Sequence, residues 1–380
     1  MYTNYRAYLF KIPTTSMVFI KDRATNLYVG AETVSGWPTG TASADKDIDR
    51  TILDYIRGQF PNAEDDDIRT RLIRLWIAIE KSIVEDQNHE TRMDPDAEKD
   101  VLKIFLAPEF YFVPMMRKYD LVHGVTQTGF YSASQYKRLY ETIEHLLKEY
   151  SAYHDNRQLN DWIFLCGTCV YNRIETAIYR VPKLINAMIA VELGKEKKEA
   201  RAIRKMVLSN IDGVSEREDA EKRLTESESF AEIENHYFSE SGLYVDICLE
   251  HACRIYKGWQ ESVYLSRGIF PRANFRVVSA AGMKLKKSYI ASNVIALRSD
   301  GSRPGDEMLE PMTQVARKDL ELCFRNPEKD SLIVTEPWQD ITLDIFYEAL
   351  GVPKDLYELE LYGSAMTPEV RRYYEEKTEK

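Results

Sequence analysis

Five cysteines in 380 residues are too few, and odd in number, for a disulfide framework. Such frameworks belong to short secreted chains, so the pattern points to reduced thiols in the cytoplasm and leaves room for one thiol with a chemical task. No stretch approaches the roughly 18 consecutive apolar residues of a membrane-spanning helix, so no membrane association is expected. The opening residues, MYTNYRAYLFKIP, lack the basic head, long apolar run and small-residue cleavage site of a secretory leader. An excess of basic residues is missing too. The formal charge is −10, and the lysines and arginines are dispersed or lie beside acids, as in 194–205. Phosphate backbones are gripped by clustered Lys and Arg, so no nucleic-acid partner is expected. No internal repeat or low-complexity tract is evident, which argues against a repeat architecture.

What is present suits a globular chain. Hydrophobic residues make up 44% of the sequence, enough for a sizeable core. Apolar runs at 5–11, 101–112, 162–171, 184–193, 242–249, 274–280 and 290–298 read as strands, with 16–20 and 200–208 as shorter ones. Helical spacing occupies 47–58 and 64–86, where Ile68, Leu72, Leu75, Ile79 and Ile83 form one stripe behind an acidic start. Residues 132–152 repeat the pattern with Leu139, Ile143, Leu146 and Leu147. Loops are expected at 33–46 and 87–99, a charged helix or loop at 216–232, and helices at 250–257, 310–323 and 341–350. This alternation predicts a layered α/β architecture.

Three segments each place a reactive side chain at the end of an apolar strand: Glu109 in LAPEFYF, Lys205 in AIRKMVL and Cys248 in YVDICLEHA. Strand ends let a rigid sheet position side chains without burying them in its middle. The three types are complementary. Amide and nitrile carbons are poor electrophiles, a thiol attacks them well once deprotonated, and a carboxylate beside it can take the proton. An ammonium can stabilise the negative charge that builds on the attacked group, and the N–H of Leu249, just after the cysteine, is a second candidate donor.

These segments resemble the nitrilase superfamily of carbon–nitrogen hydrolases. The family's Pro–Glu, Arg–Lys and Ile–Cys–x–Asp/Glu elements correspond to Pro108–Glu109, Arg204–Lys205 and Ile247–Cys248–Leu249–Glu250, in the same order. Asn186–Ala187 is similar to the family's Asn-containing strand before its lysine, and SAAGM at 279–283 to the segment after its cysteine strand. The resemblance covers roughly 101–300. It implies a four-layer αββα sandwich over 1–310, with insertions near 12–63 and 113–160 and a C-terminal extension at 311–380 that serves oligomer contacts. It also implies a triad with Glu109 as general base, Lys205 as oxyanion stabiliser and Cys248 as nucleophile, a covalent thioester or thioimidate, and no metal or cofactor. The expected substrate is a small-molecule amide or nitrile, and the expected assembly a homodimer or larger homo-oligomer. Transfer of the acyl group to an amine, and a catalytically silent binding protein, remain as alternatives. Many members carry a second active-site glutamate, for which Glu232 and Glu234 are both candidates.

Each residue also has a bland reading. Glu109 could cap a strand end, Lys205 could be one surface lysine among many, and Cys248 could fill space in a core. Lys183 is an alternative to Lys205, but it precedes the strand that the family order requires. Cys166-Gly-Thr-Cys169 has metal-ligand or redox spacing without a second ligand pair to complete it. His251 or His236 could activate Cys248 instead of a carboxylate. Strand alternation places Tyr111 on the side of Glu109, which makes it a candidate pocket residue.

Overall fold

A computed structural model of the chain describes residues 4–12, 17–21, 28–33, 48–90, 100–113, 131–154, 159–174, 182–207 and 232–253, parts of 255–301, the strands within 313–349, and Tyr2 and Thr14. It is a mixed α/β structure built on two mixed sheets. The first contains β1 (Asn4–Lys11), β4 (Val101–Leu106), β6 (Trp162–Ile174), β7 (Pro182–Leu193) and β8 (Lys198–Arg204) as consecutive neighbours. A separate hairpin pairs β2 (Met17–Lys21) with β3 (Tyr28–Thr33), and the short β5 (Tyr131–Ser132) lies against β6. The second sheet runs from β9 (Tyr237–Phe238) through β10 (Leu243–Ile247) and β11 (Phe275–Ala280) to β12 (Ile295–Asp300). β1, β4 and the start of β6 are parallel, as are β10, β11 and β12.

Alternation along these strands sorts the side chains onto two faces. Tyr5, Ala7 and Leu9 of β1, Leu102, Ile104 and Leu106 of β4, and Met188 and Ala190 of β7 share one apolar cluster with Leu243, Val245, Ile247, Val277 and Leu297 of the second sheet. The two sheets are therefore held face to face, each fully buried aliphatic side chain contributing about 1.5–3 kcal/mol relative to exposure. The opposite residues, among them Tyr8, Phe105 and Phe164, pack beneath α1 (Arg50–Gln59), α2 (Asp66–Glu90) and α3 (Ala133–Lys148). The five-residue stripe expected on α2 is buried there, as is the four-residue stripe of α3. α3 begins with a reciprocal cap: Gln135 N–H donates to Ser132 Oγ, and Ser132 N–H donates to Gln135 Oε1. A single turn, α4 (Tyr150–Tyr153), follows. On the outer face of the second sheet, Tyr244 packs with Ile255, Tyr256 and Trp259, downstream of the short α5 (Leu249–Cys253).

The C-terminal segment differs from expectation. The described residues of 310–323 and 341–350 form strands, not helices. β13 (Thr313–Lys318) and β14 (Leu322–Arg325) extend the second sheet from β12, while β15 (Ser331–Val334) and β16 (Ile341–Ala349) extend the first. β16 runs antiparallel along the whole of β1, from Asn4↔Ala349 to Lys11↔Thr342. Its sequence, ITLDIFYEA, has the β-branched and aromatic content of a strand, and the open edge of β1 gives it a partner that local helical spacing cannot reveal. Of the expected loop at 33–46, Thr33 belongs to β3 and the rest lies outside the described residues, as does the charged segment at 216–232 apart from Glu232.

Candidate active site

The site lies where β4, β8 and β10 end, beside Asn186 near the start of β7. β4 stops at Leu106, and the turn that follows is pinned from several directions. Ala107 N–H donates to Leu165 O at 2.8 Å, Ser279 Oγ donates to Ala107 O at 3.1 Å, and Phe110 N–H donates to Thr168 Oγ1 at 2.8 Å. Phe110 adopts a left-handed conformation, φ 57°, which reverses the chain and leaves the Glu109 side chain fully buried beside the second sheet. β6 makes room by bulging between Leu165 and Thr168, with Gly167 at φ 77°. A Cβ on Gly167 would stand 2.6 Å from Tyr111 Cβ and 2.8 Å from Pro108 O, so only glycine permits this approach.

Lys205 follows β8. Its backbone N–H donates to Asn186 O at 2.8 Å, and its Nζ donates to Glu109 Oε1 at 2.8 Å. Asn186 Nδ2 donates to the same carboxylate oxygen at 3.0 Å, so one β7 residue holds both the base and the cation in register. The Phe110 ring lies 5.5 Å from Lys205 Nζ, a cation–π contact that also shields the pair from water.

Cys248 follows β10, and its N–H donates to Ser279 O at 2.9 Å. Ser279 thus binds the Cys248 backbone with its carbonyl and the Glu109 turn with its hydroxyl, joining the two sheets at the site. The φ of Cys248 is 50°, a conformation non-glycine residues seldom adopt and one that costs on the order of 1–3 kcal/mol. Its side chain is buried and lies close enough to the Glu109 carboxylate and the Lys205 ammonium to feel both charges. Burial first, and Glu109 second, push the thiol well above its ordinary value, while Lys205 and the N–H of Ala281 pull the other way. The resting sulfur is therefore a protonated thiol beside a carboxylate able to take its proton, with an ammonium paired to that carboxylate.

The three side chains expected to act together are thus brought together. The other candidates are placed differently. Tyr111 turns away from Glu109: its hydroxyl donates to Arg71 O at 3.0 Å, its carbonyl accepts from Arg71 Nη1 at 2.8 Å, and its ring packs among Phe10 and Phe112 under the helices. The alternation behind the pocket reading ends with β4, and the left-handed Phe110 resets it. Leu249 opens α5, and its half-buried side chain packs on the cluster of Tyr244 and Trp259, while its backbone follows directly on Cys248. Glu234 is half-buried in the turn before β9, and Glu232 accepts from Arg204 Nη1 at 2.5 Å.

Cys166 lies in the β6 bulge and Cys169 just beyond it, both in the helix-side core, with burial raising both thiols. Among the described residues no group of three or more His, Cys, Asp or Glu side chains is arranged to hold a metal ion. His251 Nδ1 faces Asp246 Oδ2 at 3.5 Å, and the ring nitrogens of His236 face Val245 O and Arg204 O. Neither imidazole takes the place of Glu109 at the sulfur. Sequence reasoning gave no positioning role to Gly167, Thr168, Phe110 or Ser279, and did not pair His236 with Glu250. Only Gly167, a glycine inside an apolar strand, carried a readable signal.

The sequence matches no protein-family model and no curated protein. Among the described residues no helix is long and apolar enough to cross a membrane.

Proposed function

We propose that the protein is a carbon–nitrogen hydrolase of the nitrilase type, acting on an amide or nitrile of a small molecule through a covalent bond to Cys248. The observation that carries this reading is the convergence of Glu109, Lys205 and Cys248, three residues distant in sequence, with the sulfur presented on a left-handed turn. The order of helices, first sheet, second sheet and outer helical segment is consistent with the αββα sandwich of that superfamily.

For an amide the reaction runs in two halves. Glu109 accepts the Cys248 proton as Sγ attacks the carbonyl carbon, and the resulting oxyanion is stabilised by the Lys205 ammonium. When the tetrahedral intermediate collapses, the carbon–nitrogen bond breaks and the leaving amine takes the proton from Glu109. Water, deprotonated by Glu109, then attacks the thioester, and Cys248 leaves as a thiol after regaining that proton. A nitrile passes through a thioimidate at the same sulfur. Neither a metal nor a cofactor is needed for these steps. The reading carries with it the cytoplasmic setting and the homodimer or larger homo-oligomer expected from the resemblance.

Ammonia release from a panel of small primary amides and nitriles tests the activity. The wild-type chain is expected to turn over at least one class, and Cys248→Ala none. Equal ammonia release by both proteins contradicts the assignment. Adding a competing amine to an active substrate separates hydrolysis from acyl transfer by the product formed.

A further inference from the structure

Behind the triad, a buried histidine and a buried glutamate grip the two strand ends that carry Lys205 and Cys248. His236 is fully buried, with Nδ1 2.8 Å from Val245 O and Nε2 3.0 Å from Arg204 O. A carbonyl oxygen only accepts hydrogen bonds, so each ring nitrogen must carry a hydrogen to satisfy its partner, and only imidazolium carries two. The protonation state is assigned here from its partners. A compensating charge is in place: Glu250, also fully buried, lies with Oε2 3.6 Å from His236 Nδ1. Both of its oxygens accept backbone hydrogen bonds, Oε2 from Ile247 N–H at 2.7 Å and Oε1 from Met206 N–H. The remaining neighbours do not supply a competing charge pair. The Tyr244 ring lies 5.8 Å from the imidazole, Arg204 directs its guanidinium to Glu232, and Asp246 is held by Arg276.

The four backbone atoms held by this pair have a common meaning. Arg204 O and Met206 N–H flank Lys205, while Val245 O and Ile247 N–H lead into Cys248. We propose that His236 donates through both ring nitrogens as an imidazolium and, paired with Glu250, acts as a positioning clamp fixing the end of β8 against the end of β10, so that Lys205 and Cys248 meet at one distance. Its role in chemistry rests on the carbon–nitrogen hydrolase reading; its charge state does not. A buried charge pair demands complete hydrogen bonding, and all four backbone partners are supplied here. That directionality is what an apolar replacement would lack. Neither residue touches the sulfur, so their effect on it is through geometry.

Two measurements on the full chain test this. The first is long-range proton–nitrogen correlation of histidine-labelled protein, with the His236 ring assigned through its contact with Tyr244. Both ring nitrogens of the folded chain are expected to show the imidazolium signature, each carrying the proton that its carbonyl partner accepts. One nitrogen with the signature of an unprotonated ring overturns the proposal. The second is the pH profile of iodoacetamide alkylation at Cys248, followed by peptide mapping because the exposed Cys253 also reacts. Glu250→Gln, nearly the same in shape, is expected to slow Cys248 by about tenfold to a hundredfold and to alter its pH profile. An unaltered Cys248 rate and profile in Glu250→Gln overturns the clamp. A doubly protonated ring together with a wild-type Cys248 that neither alkylates nor turns over amides would leave the charge pair standing and remove the hydrolase reading.

Discussion

Glu109 and Lys205 leave water together, and neither can do so alone. Their side chains are almost completely buried, and the 2.8 Å contact between them compensates part of a desolvation cost that each would otherwise carry unaided. Removing one partner strands the other charge. Glu109→Gln is expected to destabilise the fold by about 3–5 kcal/mol, and Lys205→Met by a similar amount. The double variant should cost clearly less than the sum, because it leaves no orphaned charge. Urea unfolding of the four proteins measures this, and strict additivity would show that the two residues are not coupled. Asn186 offers a gentler probe. Asn186→Ala keeps the ion pair but removes the amide that orients it, so turnover is expected to fall by about 10²-fold with only a small change in the urea midpoint.

At the scale of elements, the position of Glu109 depends on a distortion in its neighbour. β6 bulges at Gly167 so that the turn after β4 can lie against it. Gly167→Ala meets both a left-handed backbone and the Pro108 carbonyl. It is expected to cost about 2 kcal/mol or more and to depress Cys248 alkylation, whereas Cys166→Ala, one residue away in the helix-side core, should affect stability alone. The same region shows what a sequence reveals and what it hides. Strands β4, β7 and β10 were legible because long apolar runs buried on both faces have few other uses, and the three reactive residues were legible because each interrupts such a run at its end. Tyr111 was misplaced because alternation holds only while the strand lasts. The pairing of His236 with Glu250 was not legible because their partners are backbone atoms, which every residue possesses and no motif records. β13 and β16 were taken for helices; the partner of β16 is β1, at the other end of the chain, which leaves no local signature.

For the whole molecule, those late strands matter to both sheets. β16 covers β1 and β13 covers β12, so a chain ending at residue 310 would expose two long strand edges. Such a truncation is expected to yield an aggregation-prone protein with a lowered unfolding temperature, where an appendage used only for assembly would leave a well-folded smaller species. Sedimentation and thermal unfolding of the shortened chain distinguish the two. Burial also sets an alkaline limit. Desolvation holds the hydroxyls of Tyr131, Tyr136 and Tyr244 protonated well above their ordinary 10.0, and the Cys169 thiol well above its ordinary 9.0. The unfolded chain releases these protons at the ordinary values while the folded chain retains them. The unfolded state then binds fewer protons, so stability is intact at neutral pH and falls as pH rises from about 9. Urea midpoints across this range should be level and then descend.

The central claim is that Cys248 is a nucleophile armed by Glu109, and intact-mass spectrometry after rapid mixing with a turned-over amide or nitrile tests it most directly. The account predicts a transient adduct of acyl mass that maps to Cys248, is absent from Cys248→Ala, and accumulates far more slowly in Glu109→Gln. An adduct mapping to another cysteine, or turnover with no covalent species and no dependence on Cys248, contradicts it.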